Sequence, residues 1–95
     1  MSDLEALKKG IKKNTKMVWT ETMSNPMMKV MDIHSIAQIA KNANKDIIVV
    51  TDNTLASPVL VNPLLLGADI VVHSLTKYIG GHSDLSMGAL VFNDQ

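Results

Sequence analysis

Two short runs of β-branched residues constrain the fold more than any other feature of this sequence. Residues 47–51 (IIVVT) and 70–73 (IVVH) are apolar up to their last residue and do not alternate with polar residues. Continuous apolar strands are typical of parallel sheets that are buried on both faces. Because parallel strands need a crossover connection, the two runs predict a sheet with helices between its strands.

Helix and strand signals alternate through the first half of the chain. Ser2 and Glu5 have the spacing of a capping box, and the apolar periodicity that follows predicts a helix over residues 3–13. Residues 17–22 (MVWTET) predict a strand. The turn residues at 24–26 (SNP) are expected to end it.

The same alternation continues in the second half. Asp32 is expected to cap a second helix, in which apolar residues recur at helical spacing until about residue 44. Residues 58–66 predict a short helix with Gly67 as its C-cap, and residues 87–92 (MGALVF) predict a further strand. This order of elements predicts an α/β fold with a mostly parallel sheet flanked by helices.

Composition argues against several classes of function. Nine basic and nine acidic residues give no net charge that would favour nucleic acid or an anionic membrane. The absence of cysteine excludes a disulfide scaffold and a thiolate zinc site, and the three histidines have no spacing typical of a metal site. The apolar runs are far shorter than the ~20 residues that span a bilayer. We therefore expect a cytoplasmic protein without a metal, nucleic-acid or membrane partner.

Polar residues with chemical potential follow the two apolar strands, where ligands bind in parallel sheets. Lys77 lies between hydroxyl residues, Ser74 and Thr76, just after one strand, and Asp52 ends the other. A lysine amine attacks carbonyls, and a carboxylate can keep a pyridine nitrogen protonated, as pyridoxal 5'-phosphate (PLP) requires. Taken singly, Lys77 is equally well an exposed loop lysine and Asp52 a turn or cap residue. The residues alone leave both interpretations open.

A longer motif supports the cofactor interpretation. Residues 74–84 (SLTKYIGGHSD) resemble the lysine signature of the Cys/Met-metabolism PLP enzymes, the trans-sulfuration enzymes of the fold type I group. Residues 52–58 (DNTLASP) and 63–69 (PLLLGAD) are similar to the stretch that precedes the lysine in that family. Glu21-Thr22, followed by Ser24-Asn25-Pro26, resembles its turn further upstream, although Met23 stands where the family usually has proline. The resemblance extends from about residue 3 to residue 94.

The resemblance implies a role for each polar residue. Lys77 would bind PLP covalently and act as the catalytic base, and Asp52 would pair with the pyridine nitrogen. Ser74 and Thr76 would hold the phosphate. Asn25 would lie near the cofactor's phenolic oxygen and the substrate carboxylate.

Glu21 is a weaker assignment, which the resemblance puts on the substrate side of the site.

The family's enzymes are chains about four times this length, so residues 1–95 are expected to be a fragment of the PLP-binding large domain, which is aspartate-aminotransferase-like, with no second domain. The implied activity is γ-elimination of cystathionine to cysteine, 2-oxobutanoate and ammonia, with a homotetrameric parent enzyme. The alternatives are a cystathionine γ-synthase or another family lyase or transferase. A further alternative is a truncated, inactive chain that only associates with full-length subunits.

Overall fold

The computed structural model describes residues 4–93, which form four strands, three α-helices and one 3₁₀ helix. In chain order these are α1 (Leu4–Gly10), β1 (Met17–Glu21), α2 (Ile33–Ala43), β2 (Ile48–Asp52), α3 (Ser57–Leu60), the 3₁₀ helix (Pro63–Leu66), β3 (Ile70–Ser74) and β4 (Gly88–Phe92). The predicted capping box involves Ser2, which lies outside the described residues. No helix within the described range is long and apolar enough to cross a membrane.

The strands form one sheet in the order β1-β2-β3-β4. β1, β2 and β3 are parallel to one another, whereas β4 is antiparallel to β3. Helical crossovers join the parallel strands, and a loop without a helix joins β3 to β4, as an antiparallel connection permits. The predicted α/β fold with a mostly parallel sheet is confirmed.

Helix α2 begins where its cap was predicted. The Asp32 carboxylate accepts hydrogen bonds from the Ser35 N–H at 3.0 Å and from the Ser35 hydroxyl at 2.7 Å. At the other end the Asn44 N–H donates to the Ala40 carbonyl. The apolar face of the helix, at Ile36 and its neighbours, is buried against the sheet.

Two predicted helices differ from those observed. Helix α1 ends at Gly10 instead of residue 13, since the Lys12 N–H donates to the Thr15 hydroxyl at 2.9 Å and leaves the helical pattern. The predicted helix over residues 58–66 is interrupted, because a proline disfavours helical backbone in the residue before it. Asn62, before Pro63, is accordingly extended, with φ −113° and ψ 93°.

Gly67 ends the 3₁₀ helix, and the predicted C-cap is confirmed. Its φ of 106° lies in the left-handed region, and its N–H donates to the carbonyls of Leu64 and Pro63. A side chain would also be crowded here, since a Cβ on Gly67 would lie 3.0 Å from the Cβ of Ala37 on α2. The backbone conformation therefore requires a glycine, and the close packing of this turn on α2 favours one as well.

One face of the sheet carries the hydrophobic core. Helix α2 packs on the side chains that β1 and β2 direct to this face, and α1 packs beside α2. The core cluster consists of Leu7, Val18, Ile33, Ile36, Ala37, Ala40, Ile47, Val49 and Ala68. We call this the covered face.

A polar clamp attaches α2 to the sheet. The Lys41 amine donates to an Asp69 carboxylate oxygen and to the Ile47 carbonyl, each at 2.7 Å. The same Asp69 oxygen accepts from the Val49 N–H at 2.8 Å. Asp69 therefore satisfies a main-chain donor of a fully buried strand residue while it binds the helix.

The opposite face of the sheet is open. Its apolar side chains include Trp19, 55% exposed, and Leu90 and Phe92, 66% and 65% exposed. Val50 is buried on this face, between its cross-strand neighbours Trp19 and Ile70. The expectation of strands buried on both faces is therefore met only in the centre of β2. It is wrong for β3, in which alternate residues are half-buried, because the described helices pack on the covered face.

Candidate active site

A cleft of about 640 Å³ lies at the carboxyl ends of the three parallel strands. This is the edge at which parallel sheets bind ligands, because loops from neighbouring strands converge there. The structure brings all six residues singled out from the sequence to the wall of this cleft: Glu21, Asn25, Asp52, Ser74, Thr76 and Lys77. These six residues bring a lysine, two carboxylates, two hydroxyls and an amide to the cleft.

Asp52 is the last residue of β2, and its carboxylate is held in one orientation. Its Oδ1 accepts from the Thr54 N–H at 3.0 Å and from the Thr54 hydroxyl at 2.6 Å. Its carbonyl accepts from the Thr22 N–H at 3.0 Å. Within residues 4–93 both hydrogen bonds of the carboxylate go to Oδ1, which leaves Oδ2 available to a partner in the cleft.

Ser74 and Thr76 lie at the carboxyl end of β3, Ser74 in the strand and Thr76 in the loop that follows. Ser74 is the last residue of β3, and its N–H donates to the Thr54 hydroxyl at 2.9 Å. The Thr76 hydroxyl accepts from the Met87 N–H at 2.9 Å and donates to the Met87 carbonyl at 3.3 Å. The longer of these bonds is the weaker, so the Thr76 proton can turn toward a ligand at little cost.

Lys77 is exposed and sits in a tightly turned loop. The Lys77 N–H donates to the Ser74 carbonyl at 3.2 Å, and the Gly81 N–H donates to the Lys77 carbonyl at 2.8 Å. Gly80 must lack a side chain, because a Cβ there would lie 2.6 Å from the Leu75 carbonyl oxygen. The absence of a side chain at Gly80 thus permits the tight turn that carries the lysine.

Glu21 and Asn25 belong to the β1 side of the cleft. Glu21 is the exposed last residue of β1. Asn25 lies in the turn that Ser24 closes by accepting at its hydroxyl from the Lys29 N–H at 3.1 Å, and the Asn25–Pro26 peptide bond is cis. Both side chains enter the cleft from the β1 side. Of the three parallel strands, β1 is the farthest from residues 75–87, the lysine loop that carries Lys77.

Sequence reasoning missed several residues of the cleft. Thr54 is the most consequential, because it contacts both Asp52 and Ser74. Its spacing two residues after a strand-ending aspartate is a recognisable turn signal and could have identified it. The other missed wall residues are Met23, Leu55, Tyr78, Gly81, Ser83 and Leu85, which have no chemical pattern of their own. Among the described residues no group of three or more metal-ligating side chains is present.

Comparison with known proteins gives a consistent result. The family model described as "Cys/Met metabolism PLP-dependent enzyme" matches residues 1–95. A cystathionine gamma-lyase of Saccharomyces cerevisiae is 53% identical over 97 residues, which cover 100% of this chain and 24% of the relative. A cystathionine gamma-synthase of Mycobacterium leprae is 50% identical over 95 residues, with 100% and 24% covered.

A solved structure agrees with these matches. The crystal structure of cystathionine gamma-lyase from yeast superposes with a TM-score of 0.90 at 53% identity, covering 97% of this chain and 24% of that one. The chain thus spans about a quarter of the length of the relatives it matches. The match over all 95 residues, the sequence identity and the superposition identify the chain as a member of the Cys/Met metabolism family of PLP-dependent enzymes.

Proposed function

We propose that this chain forms part of the cofactor site of a trans-sulfuration enzyme, with Lys77 as the residue that binds PLP. The cofactor follows from the family, which is PLP-dependent. The observation that carries the proposal is the common cleft, which combines Lys77 with Asp52, Ser74 and Thr76.

The side chains of the cleft fit this cofactor. A PLP site needs an amine for the aldehyde, hydroxyls for the phosphate and a carboxylate for the pyridine nitrogen. Lys77 is exposed in the cleft, and the Ser74 hydroxyl makes no hydrogen bond to another group within residues 4–93. Asp52 offers Oδ2, since its Oδ1 is occupied by Thr54. Each requirement is therefore met by a group that is free or readily freed.

These residues divide the chemistry among them. When bound, PLP supplies an electron sink that stabilises negative charge at the substrate α-carbon. Asp52 would keep a proton on the ring nitrogen, and Ser74 and Thr76 would hold the phosphate. The Lys77 amine would hold the cofactor covalently and would serve as the base for the substrate α-proton.

Asn25 and Glu21 act on the substrate side of this arrangement. We propose that the Asn25 amide donates toward the phenolic oxygen of the cofactor and the substrate carboxylate, as an uncharged donor can. Glu21 lines the same side, at the end of β1. Both residues reach the cleft from β1 and its following turn, so they approach from the side opposite Lys77.

The proposed reaction is γ-elimination of cystathionine, which with water gives cysteine, 2-oxobutanoate and ammonia. Relatives named as gamma-lyase and as gamma-synthase match this chain with similar identity, so a cystathionine γ-synthase is the second candidate. The substrate in both cases is a sulfur amino acid. A cytoplasmic location and a homotetrameric parent remain predictions, the first from composition and the second from the family resemblance.

A candidate of another class is a catalytically inactive chain that associates with full-length subunits. One observation favours it: the open sheet face exposes large apolar side chains that another subunit could cover. Turnover separates this candidate from the first, because an inactive chain could still bind PLP.

The test is PLP binding by the purified chain and its Lys77→Ala variant. We expect PLP to give the visible absorption of a lysine-bound cofactor, and borohydride reduction to fix it on Lys77 in a peptide map. Lys77→Ala should abolish the adduct, because no other lysine lines the cleft in the described structure. Lys45→Ala, which removes an exposed lysine outside the cleft, is the control and should behave as wild type.

Three results distinguish the candidates. An adduct that persists in Lys77→Ala, or no absorption with wild type, would refute cofactor binding at Lys77. Consumption of cystathionine by the wild-type chain supports the lyase, and its formation supports the synthase. An adduct without either reaction supports the inactive chain.

A further inference from the structure

Thr54 connects the two strand ends that form the proposed cofactor site. Its hydroxyl lies 2.6 Å from the Asp52 Oδ1 and 2.9 Å from the Ser74 nitrogen, and its own N–H also donates to Oδ1. β2 and β3 are adjacent in the sheet, and the last main-chain bond between them runs from the Asn53 N–H to the Val72 carbonyl. The hydrogen bond from the Ser74 N–H to the Thr54 hydroxyl therefore connects the two strand ends beyond their last main-chain hydrogen bond.

The direction of each hydrogen bond is determined by the chemistry of the groups. A main-chain N–H only donates, so the Thr54 hydroxyl accepts from Ser74. The single hydroxyl proton is then directed to the Asp52 Oδ1, which must present a lone pair. Two donors from one residue occupy Oδ1, and the carboxylate plane is fixed with Oδ2 as its free oxygen.

We propose that Thr54 is a positioning residue, whose hydroxyl orients the Asp52 carboxylate toward the ring nitrogen of the cofactor and ties it to the Ser74 end of β3. The inference rests on the proposed function, since it assigns Asp52 to the ring nitrogen and Ser74 to the phosphate. One hydroxyl would then set the position of the Asp52 carboxylate relative to Ser74, and these two groups would hold opposite ends of the same ligand.

Three substitutions separate this role from an effect on general stability. Thr54→Val keeps the shape of the side chain and removes the hydroxyl, whereas Thr54→Ser keeps the hydroxyl. Thr22→Val is a matched control, because the buried Thr22 hydroxyl contacts only the Asp52 carbonyl, at 3.4 Å, and not the carboxylate. A loss of any buried threonine hydroxyl near Asp52 would affect Thr22→Val as well.

The first measurement needs no cofactor. Hydrogen exchange of the Ser74 amide, followed by NMR in the full chain, should accelerate in Thr54→Val on the order of tenfold, from the loss of one hydrogen bond. Thr54→Ser and Thr22→Val should exchange at the wild-type rate. Unchanged exchange in Thr54→Val would overturn the proposed link between Thr54 and Ser74.

The second measurement reads the ring nitrogen directly. With PLP that carries ¹⁵N in its ring, the nitrogen signal of wild type should have the position of a protonated, carboxylate-paired pyridine. Thr54→Val should move the signal toward the unprotonated position and weaken PLP binding on the order of tenfold, because the carboxylate loses its strongest orienting bond. Thr54→Ser should restore both.

The outcomes identify which idea fails. If the wild-type chain binds no PLP at Lys77, the proposed function fails, and the Ser74 exchange result still tests the hydrogen bond. If wild type binds PLP but Thr54→Val leaves the ¹⁵N signal unchanged, only the positioning role fails. Should Thr54→Val not fold, Thr54→Ala removes the same hydroxyl with a smaller side chain and is subject to the same criteria.

Discussion

The two faces of the sheet have similar apolar side chains but very different surroundings. On the covered face, Val49 is fully buried and packs in a cluster with Ile36 of α2. On the open face, Trp19 and Leu90 are more than half exposed. Apolar burial stabilises a fold in proportion to the area removed from water, so the covered face supplies most of the hydrophobic stabilisation. The composition of a strand therefore indicates which side chains could be buried. The helices that pack on the sheet determine which of them are buried.

The largest expected effect contrasts one residue from each face. Ile36→Ala should lower the free energy of unfolding by about 2–5 kcal/mol, because it leaves a cavity in a fully buried site. Leu90→Ala, on the open face, should change it by no more than about 0.5 kcal/mol. Urea unfolding followed by far-ultraviolet circular dichroism measures both. A concentration-dependent loss in Leu90→Ala would instead reveal that chains pair through the open face.

A smaller effect is expected at the polar clamp between α2 and the sheet. Asp69→Ala should cost about 1–2 kcal/mol, because it removes the acceptor of the buried Val49 N–H and one of the two acceptors of the Lys41 amine. The matched control is Glu5→Ala, which breaks an exposed ion pair with Lys8 and should cost at most about 0.5 kcal/mol. Equal losses in the two variants would contradict a structural role for the clamp in attaching the covering helix.

The smallest effect concerns the cap of α2 and depends on pH. Hydrogen bonds from the Ser35 N–H and then from its hydroxyl hold the pKa of Asp32 below its ordinary value, and the charge of His34 lowers it slightly further. This stabilisation is fully present above the unfolded-state pKa of about 4 and is lost as the pH falls through the lower folded-state pKa. Wild type should therefore lose more stability than Asp32→Asn between pH 6 and pH 3 in the same urea assay. Parallel losses would exclude the charged cap as the cause.

Much of the architecture could be predicted because it follows from local patterns. The runs ending at Thr51 and His73 predict β2 and β3, and the parallel-sheet rule then predicts that Asp52 and Lys77 lie at one edge. The break in the predicted helix over residues 58–66 was missed because the prediction followed apolar periodicity alone, although Pro63 in the sequence indicates it. The open face could not be predicted either, since strand composition does not specify which helices are present to cover it.

Six residues of the site were predicted from the sequence, but the hydrogen bonds that connect them were not. Asp52 and Ser74 were recognisable from residue type and position, whereas the Thr54 hydroxyl between them depends on the exact offset of two strand ends. Thr76 was expected to be a phosphate ligand, and its hydroxyl also binds the Met87 main chain, which only the fold of the loop reveals. The functional roles of these residues remain predictions for the experiments above.

Ser74 pairs with Gly88 where the lysine loop leaves β3 and enters β4, so the two ends of the loop lie side by side. The loop leaves and re-enters the sheet at one point. There the Thr76 hydroxyl makes two hydrogen bonds to the Met87 main chain, and the Leu75 and Thr76 N–H groups donate to the Met87 carbonyl. Both ends of the loop are therefore anchored, and Lys77 lies near its base, at the same edge of the sheet as Asp52.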